Sequence, residues 1–126
     1  MARTLTAFLQ PNRVPDRVAL QRAIDALGRA LALDAGDDPF ATAGYRPCTL
    51  QGEDAGFDLR IGEAADTGGG HAVLLTFRWS GDPREEAAAS IVCAALAAFD
   101  ARIQAGDTTR SAEALLATAD ACLASF

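Results

Sequence analysis

His71-Ala-Val-Leu-Leu-Thr-Phe-Arg-Trp79, followed by Ser80-Gly81-Asp82-Pro83-Arg84-Glu85-Glu86 and an alanine-rich run to Phe99, is the stretch on which the fold turns. Val73, Leu75, Phe77 and Trp79 alternate with Ala72, Leu74, Thr76 and Arg78. A period of two belongs to a strand, and the near-continuous hydrophobicity places it in the middle of a sheet. A helix start follows. Asp82 can accept from free amides, Pro83 suits the first turn, and Glu85 and Glu86 meet the positive end of the helix dipole. The helix is expected to reach about Ile103, with Ala88, Val92, Ala95, Leu96, Phe99 and Ile103 on one stripe and Ala87, Ile91, Ala94 and Ala98 on another. Two apolar stripes call for two packing partners. One is the sheet; the other is a last helix from Ser111 to about Ala124, carrying Leu115, Leu116, Ala119, Cys122 and Leu123 and followed by Phe126, with Gly106-Asp107 as the break between the helices.

Working outward, Thr4 to Leu9 puts Leu5 and Leu9 on one side and Thr4, Thr6 and Phe8 on the other, which reads as a first strand closed by Pro11. Pro15-Asp16 opens an amphipathic helix. Leu20, Ala23, Ile24 and Leu27 recur at helical spacing, Arg17, Gln21, Arg22 and Asp25 cover the other face, and Gly28 ends the run. Leu31 and Leu33 then alternate with Ala30 and Ala32, favouring a strand over Arg29 to Asp34, although one long helix over residues 15–34 is the alternative. A turn-rich loop follows to Gly44. Arg46 to Leu50 and Phe57 to Ile61 bracket a glycine-flanked connection, Gln51 to Gly56, and read as a hairpin. Its second strand has Phe57, Leu59 and Ile61 on a buried face and Asp58 and Arg60 on a wet one. Residues 62 to 70 read as a flexible loop. The sum is one α+β domain over residues 1–126, ordered β-α-β-β-β-β-α-α, with a mainly antiparallel sheet of four to five strands and helices packed on one face.

With 126 residues, 50% of them apolar and 22% charged, the composition is that of one folding domain. All eleven basic residues are arginines, and seventeen acids leave a net charge of -6. That balance repels nucleic-acid phosphates, so no nucleic-acid partner is expected. The longest apolar-rich run, Ala87 to Phe99, falls short of the roughly 20 residues of a spanning helix, and the first residues do not resemble a signal peptide. The reading is a cytoplasmic protein with no membrane partner. Cys48, Cys93 and Cys122 are odd in number and form no C-x-x-C pair, so neither a disulfide framework nor a metal site is encoded. No cofactor signature is present.

The only histidine, His71, would have to serve any triad or histidine metal site alone. The preceding Gly68-Gly-Gly70 is followed by neither Lys nor a helix start, which excludes a phosphate loop. Three carboxylate pairs, Asp37-Asp38, Glu53-Asp54 and Glu85-Glu86, would need to converge in a pocket to do acid–base chemistry. The expectation is therefore a non-enzyme. Candidate protein-binding residues are the hairpin acids Glu53, Asp54 and Asp58 with Arg60, whose plainer reading is a solvated edge, and the aromatics Tyr45 and Trp79, for which burial is the default and an interface anchor the alternative.

The segments Tyr45-Arg-Pro-Cys-Thr-Leu-Gln-Gly-Glu-Asp-Ala-Gly-Phe57 and Phe77-Arg-Trp-Ser-Gly-Asp-Pro-Arg-Glu-Glu-Ala-Ala-Ala89 resemble small uncharacterised bacterial proteins found among the predicted immunity proteins of polymorphic toxin systems. The resemblance covers roughly residues 45–100, is diffuse, and transfers no catalytic residue. It implies a cytosolic protein that binds and blocks a cognate toxin domain, such as a basic one. Two other classes compete with it. One is a small-molecule-binding domain or small enzyme with a pocket between sheet and helices, using His71 and the paired acids. The other is a homo-oligomeric structural or secretion-chaperone-like protein that pairs through the second alanine stripe of the 83–103 helix.

Overall fold

Tight turns and strict alternation assemble the sheet. In a computed structural model describing residues 3–34, 40–65 and 71–124, strands β1 (Arg3–Leu9), β2 (Leu31–Leu33), β3 (Gly44–Leu50), β4 (Glu53–Ala65), β5 (His71–Trp79), β6 (Arg102–Ala105) and β7 (Thr108–Arg110) form a single sheet. Its order is β2-β3-β4-β5-β1-β6-β7, with every neighbouring pair antiparallel. Helices α1 (Arg17–Ala26), α2 (Pro83–Leu96) and α3 (Ala112–Leu123) cover one face. The expected α+β architecture is present, with seven strands rather than four or five.

Register explains which face is covered. Leu5 and Leu59 both lie opposite Phe77, Ala7 lies opposite Leu75 and Ile103, and all of these are buried. Phe77 anchors the layer, with the Phe57 ring centroid 4.9 Å away and Phe40 edge-on at 6.1 Å. Above it lies α2, whose ten consecutive residues Ala87 to Leu96 are all buried. It contacts β1, β3, β4 and β5 beneath and α1 and α3 alongside. Small side chains let three neighbours approach closely. As far as Leu96, both stripes thus face partners within the same chain, as their pattern demands.

The start of α2 is as anticipated, with the Asp82 carboxylate accepting from the Arg84 amide at 2.9 Å. Its end is not. The helix stops at Leu96, a single 3-10 turn covers Ala97–Phe99, and Asp100 takes a left-handed conformation at φ 64°. The Ala101 amide donates back to Leu96 and the Asp100 amide to Ala97, the paired bonds of a Schellman ending. Ile103, assigned from its spacing to the helix, instead sits in β6 opposite Ala7. Gly106-Asp107 is the turn of the β6–β7 hairpin rather than a break between helices, and Gly106 supplies its φ of 62°.

The earlier hairpin is also tighter than expected. Gln51 and Gly52, at φ 55° and 81°, form a two-residue turn, and pairing begins at once with Leu50 opposite Glu53. Glu53 and Asp54 are therefore strand residues at the hairpin's end and not a projecting loop. The single long helix over 15–34 is excluded, since α1 ends at Ala26, Gly28 turns at φ 74°, and Leu31 pairs with Leu50. The Gly68–Gly70 loop, Asp37-Asp38 and Phe126 lie outside the described residues.

The β2 edge is closed by a side chain. The Gln21 carboxamide on α1 donates to the Leu31 carbonyl at 2.8 Å and accepts from the Leu33 amide at 2.8 Å, completing the pattern that a further strand would make. Replacing Gln21 by Ala should lower stability by about 1–3 kcal/mol for the two bonds. It should also expose the β2 edge to self-association. Urea titration, together with sedimentation at rising concentration, checks both outcomes.

Candidate protein-binding surface

Among the described residues, the second face of the sheet bears no helix. Its side chains come from the alternate positions of the same strands, so the geometry follows directly from the registers. In one cross-strand row, Tyr45 on β3 lies opposite Asp58 on β4, Asp58 opposite Arg78 on β5, and Arg78 opposite Thr4 on β1. The next row is Arg60, Thr76, Thr6 and Gln104, and the third is Gly62, Leu74, Phe8 and Arg102. Asp58, Arg60, Arg78 and Arg102 are exposed, whereas Thr6, Thr76, Phe8 and Leu74 are half-buried. Such a face combines apolar body with fixed charge.

Tyr45 is 53% exposed and yet well held. Its hydroxyl donates to the Ala55 carbonyl at 3.3 Å, and its ring lies over Gly56, where an added Cβ would also come within 2.8 Å of the Arg46 carbonyl. Desolvation, followed by the negative charge of Glu85, pushes the phenol above its ordinary pKa, so it remains a donor at neutral pH. Arg102 stacks on Phe8 with its guanidinium carbon 4.6 Å from the ring centroid. Asp58, Arg60 and Arg78 make no hydrogen bond or ion pair among the described residues.

Of the residues nominated from sequence, Tyr45, Asp58 and Arg60 share this face, and Asp54 joins it at the end of the hairpin, opposite Thr49. Glu53, opposite Leu50, belongs to the helix-covered side, although it is exposed. Trp79 does not belong with them. It is 8% exposed and lies in the core on the helix side, as expected of a residue in phase with Phe77 and Leu75. Arg78 and Arg102 went unnominated. Arg78 could have been found by phase, since it shares the wet phase of its strand, whereas Arg102 was hidden by the misplaced helix end.

The local charge differs from that of the whole chain. Arg60, Arg78 and Arg102 outnumber Asp58 on these rows, so the net charge of -6 is carried elsewhere. A partner seated here would present acids to the arginines and a donor to Asp58. At the hairpin's end, Glu53 and Asp54 offer the opposite sign to basic groups at the rim.

Between the helices and the sheet lies a cleft of about 640 Å³, with Leu5, Trp79, Ser90 and Leu115 among its lining and Glu86 and Arg110 as its charged groups. Only Glu86 of the acid pairs reaches it, and the His71 side chain lies outside the described residues. Two of the three thiols are held protonated. Burial, with Glu85 adding a smaller push, raises Cys48 to about 12, and complete burial raises Cys93 further. Cys122 is half-buried, its Sγ donating to Glu86 Oε2 at 3.3 Å. No group of three or more His, Cys, Asp or Glu side chains with metal-binding geometry occurs among the described residues. No helix among them is long and apolar enough to cross a membrane.

Iodoacetamide at pH 8 should therefore modify Cys122 in the native protein and leave Cys48 and Cys93 unmodified until denaturant is added. Both raised thiols are protonated well above that pH, so raising it to 9 should not release them. Peptide mass mapping after timed labelling checks this. No protein-family model matches the chain, and comparison with curated proteins and with solved structures found no match.

Proposed function

We propose that the chain is a non-catalytic protein-binding module, an immunity-type protein that seats its bare sheet face on a cognate bacterial toxin domain and neutralises it. The observation that carries this reading is the trio Asp58, Arg60 and Arg78, which make no hydrogen bond or ion pair among the described residues, on the face opposite the helices beside exposed Tyr45 and half-buried Phe8 and Leu74. Charged groups with no intramolecular hydrogen bond have none to break when a complementary surface arrives, so the new pairs need only repay their lost hydration. The sheet backbone holds them in place beforehand, which limits the ordering cost of association. Negative potential from the rest of the chain would speed the approach of a basic partner, while the arginines on the face would fix its register.

The test uses the product of the gene immediately upstream, co-expressed with the chain. The expected results are growth protection and a stable complex on gel filtration. Arg60→Glu together with Arg78→Glu should weaken binding at least thirtyfold, about 2 kcal/mol, and abolish protection, with the circular dichroism and melting temperature unchanged. A folded double variant that binds and protects as well as the unmodified chain would overturn the reading.

A further inference from the structure

A second binding element lies on the other side of the sheet, where β1 outruns its neighbour. Strand β1 pairs with β5 along its whole length, Arg3 to Leu9, but with β6 only at Thr6, Ala7 and Phe8. The β6–β7 hairpin turns back at Gly106-Asp107, so the outer side of β1 at Arg3 and Thr4 has no strand beside it. An interior strand thus carries a short open edge. The 640 Å³ cleft borders that edge, with Thr4 and Leu5 from β1, Ala105 and Gly106 from the hairpin, and Trp79, Ser90 and Leu115 among the groups on the helix side.

We infer that this place receives an extended peptide segment of a partner protein, which adds beside β1 at Arg3 and Thr4 and drops one aromatic side chain into the cleft. Three observations converge on an extended peptide. Main-chain hydrogen bonding is available only to a ligand that has a main chain, and the one of Arg3 and Thr4 whose amide and carbonyl point away from β5 supplies it. Alternate residues of an added strand point to opposite faces, so every second side chain would face the helices, where the cleft lies. The lining is chiefly apolar, and 640 Å³ is ample for a ring. Arg110, exposed at the end of β7, stands where the carbonyls or an acidic residue of the same segment would pass. The contrast with β2 is instructive. There Gln21 occupies the backbone groups that an added strand would use, whereas at β1 no described residue does so.

This inference does not depend on the sheet-face reading, and the two can be separated. The probe is a phage-displayed library of linear nine-residue peptides, selected against the full chain and followed by synthesis of the enriched sequences. The expected result is a shared aromatic position, amide and indole shifts at Thr4, Leu5, Trp79 and Ala105, and at least tenfold slower exchange of an Arg3 or Thr4 amide in the complex. Ala105→Trp and Thr118→Trp, which fill the cleft from two different elements, should each weaken the peptides at least tenfold. Arg60→Glu with Arg78→Glu should leave them unchanged. Failure to enrich any peptide that shifts these residues, or binding indifferent to both filling variants while they remain folded, would overturn the inference. So would a cleft that takes free indole or p-cresol in preference to the peptides with no slowing at Arg3 or Thr4, which would mark a small-molecule pocket instead. The same shifts appearing on concentration alone would identify a second copy as the occupant, and would equally overturn it.

Discussion

Everything in this structure depends on the burial of α2 on all sides. Ten successive residues without exposure are unusual for a helix of a small domain, because a surface helix ordinarily keeps one polar face. Alanine makes the arrangement possible, since a narrow helix can touch the sheet below and helices on both flanks without opening voids. The consequence is an asymmetric molecule. The other two helices flank α2 on one face, and among the described residues no element covers the opposite face.

That asymmetry organises the candidate surfaces. The bare face is a regular grid because strand registers fix its spacing, and its Asp58, Arg60 and Arg78 make no hydrogen bond or ion pair among the described residues. The cleft near β1 has a different origin. It arises where a long interior strand meets a short hairpin, so that backbone pairing ends before the strand does. One surface offers side chains and the other offers main chain.

Much of this was legible in the sequence, for physical reasons that differ by element. Val73 to Trp79 announced β5 by alternation, and Asp82-Pro83 announced α2 by cap chemistry, because both signals are local. Leu5 and Leu9 gave the inward face of β1 in the same way. The β6–β7 hairpin escaped because Ile103 continues the helical spacing of Leu96 and Phe99, and the chain reversal depends on Asp100 rather than on a glycine. Thr108 to Arg110 contains no apolar residue at all, so β7 had no periodic signal to read. At the site, Asp58 and Arg60 were legible as the wet side of a strand. Trp79 was ambiguous between core and interface until its register opposite Arg3 fixed it on the helix side.

The most direct test of the account is solvent paramagnetic relaxation of methyl protons in the free protein, using a neutral soluble gadolinium chelate. The account predicts strong relaxation at Leu74, Thr6 and Thr76, with Leu75, Ile91 and Leu96 protected. Leu74 and Thr76 as shielded as Leu75 would show that the sheet is covered on both sides, and would contradict it.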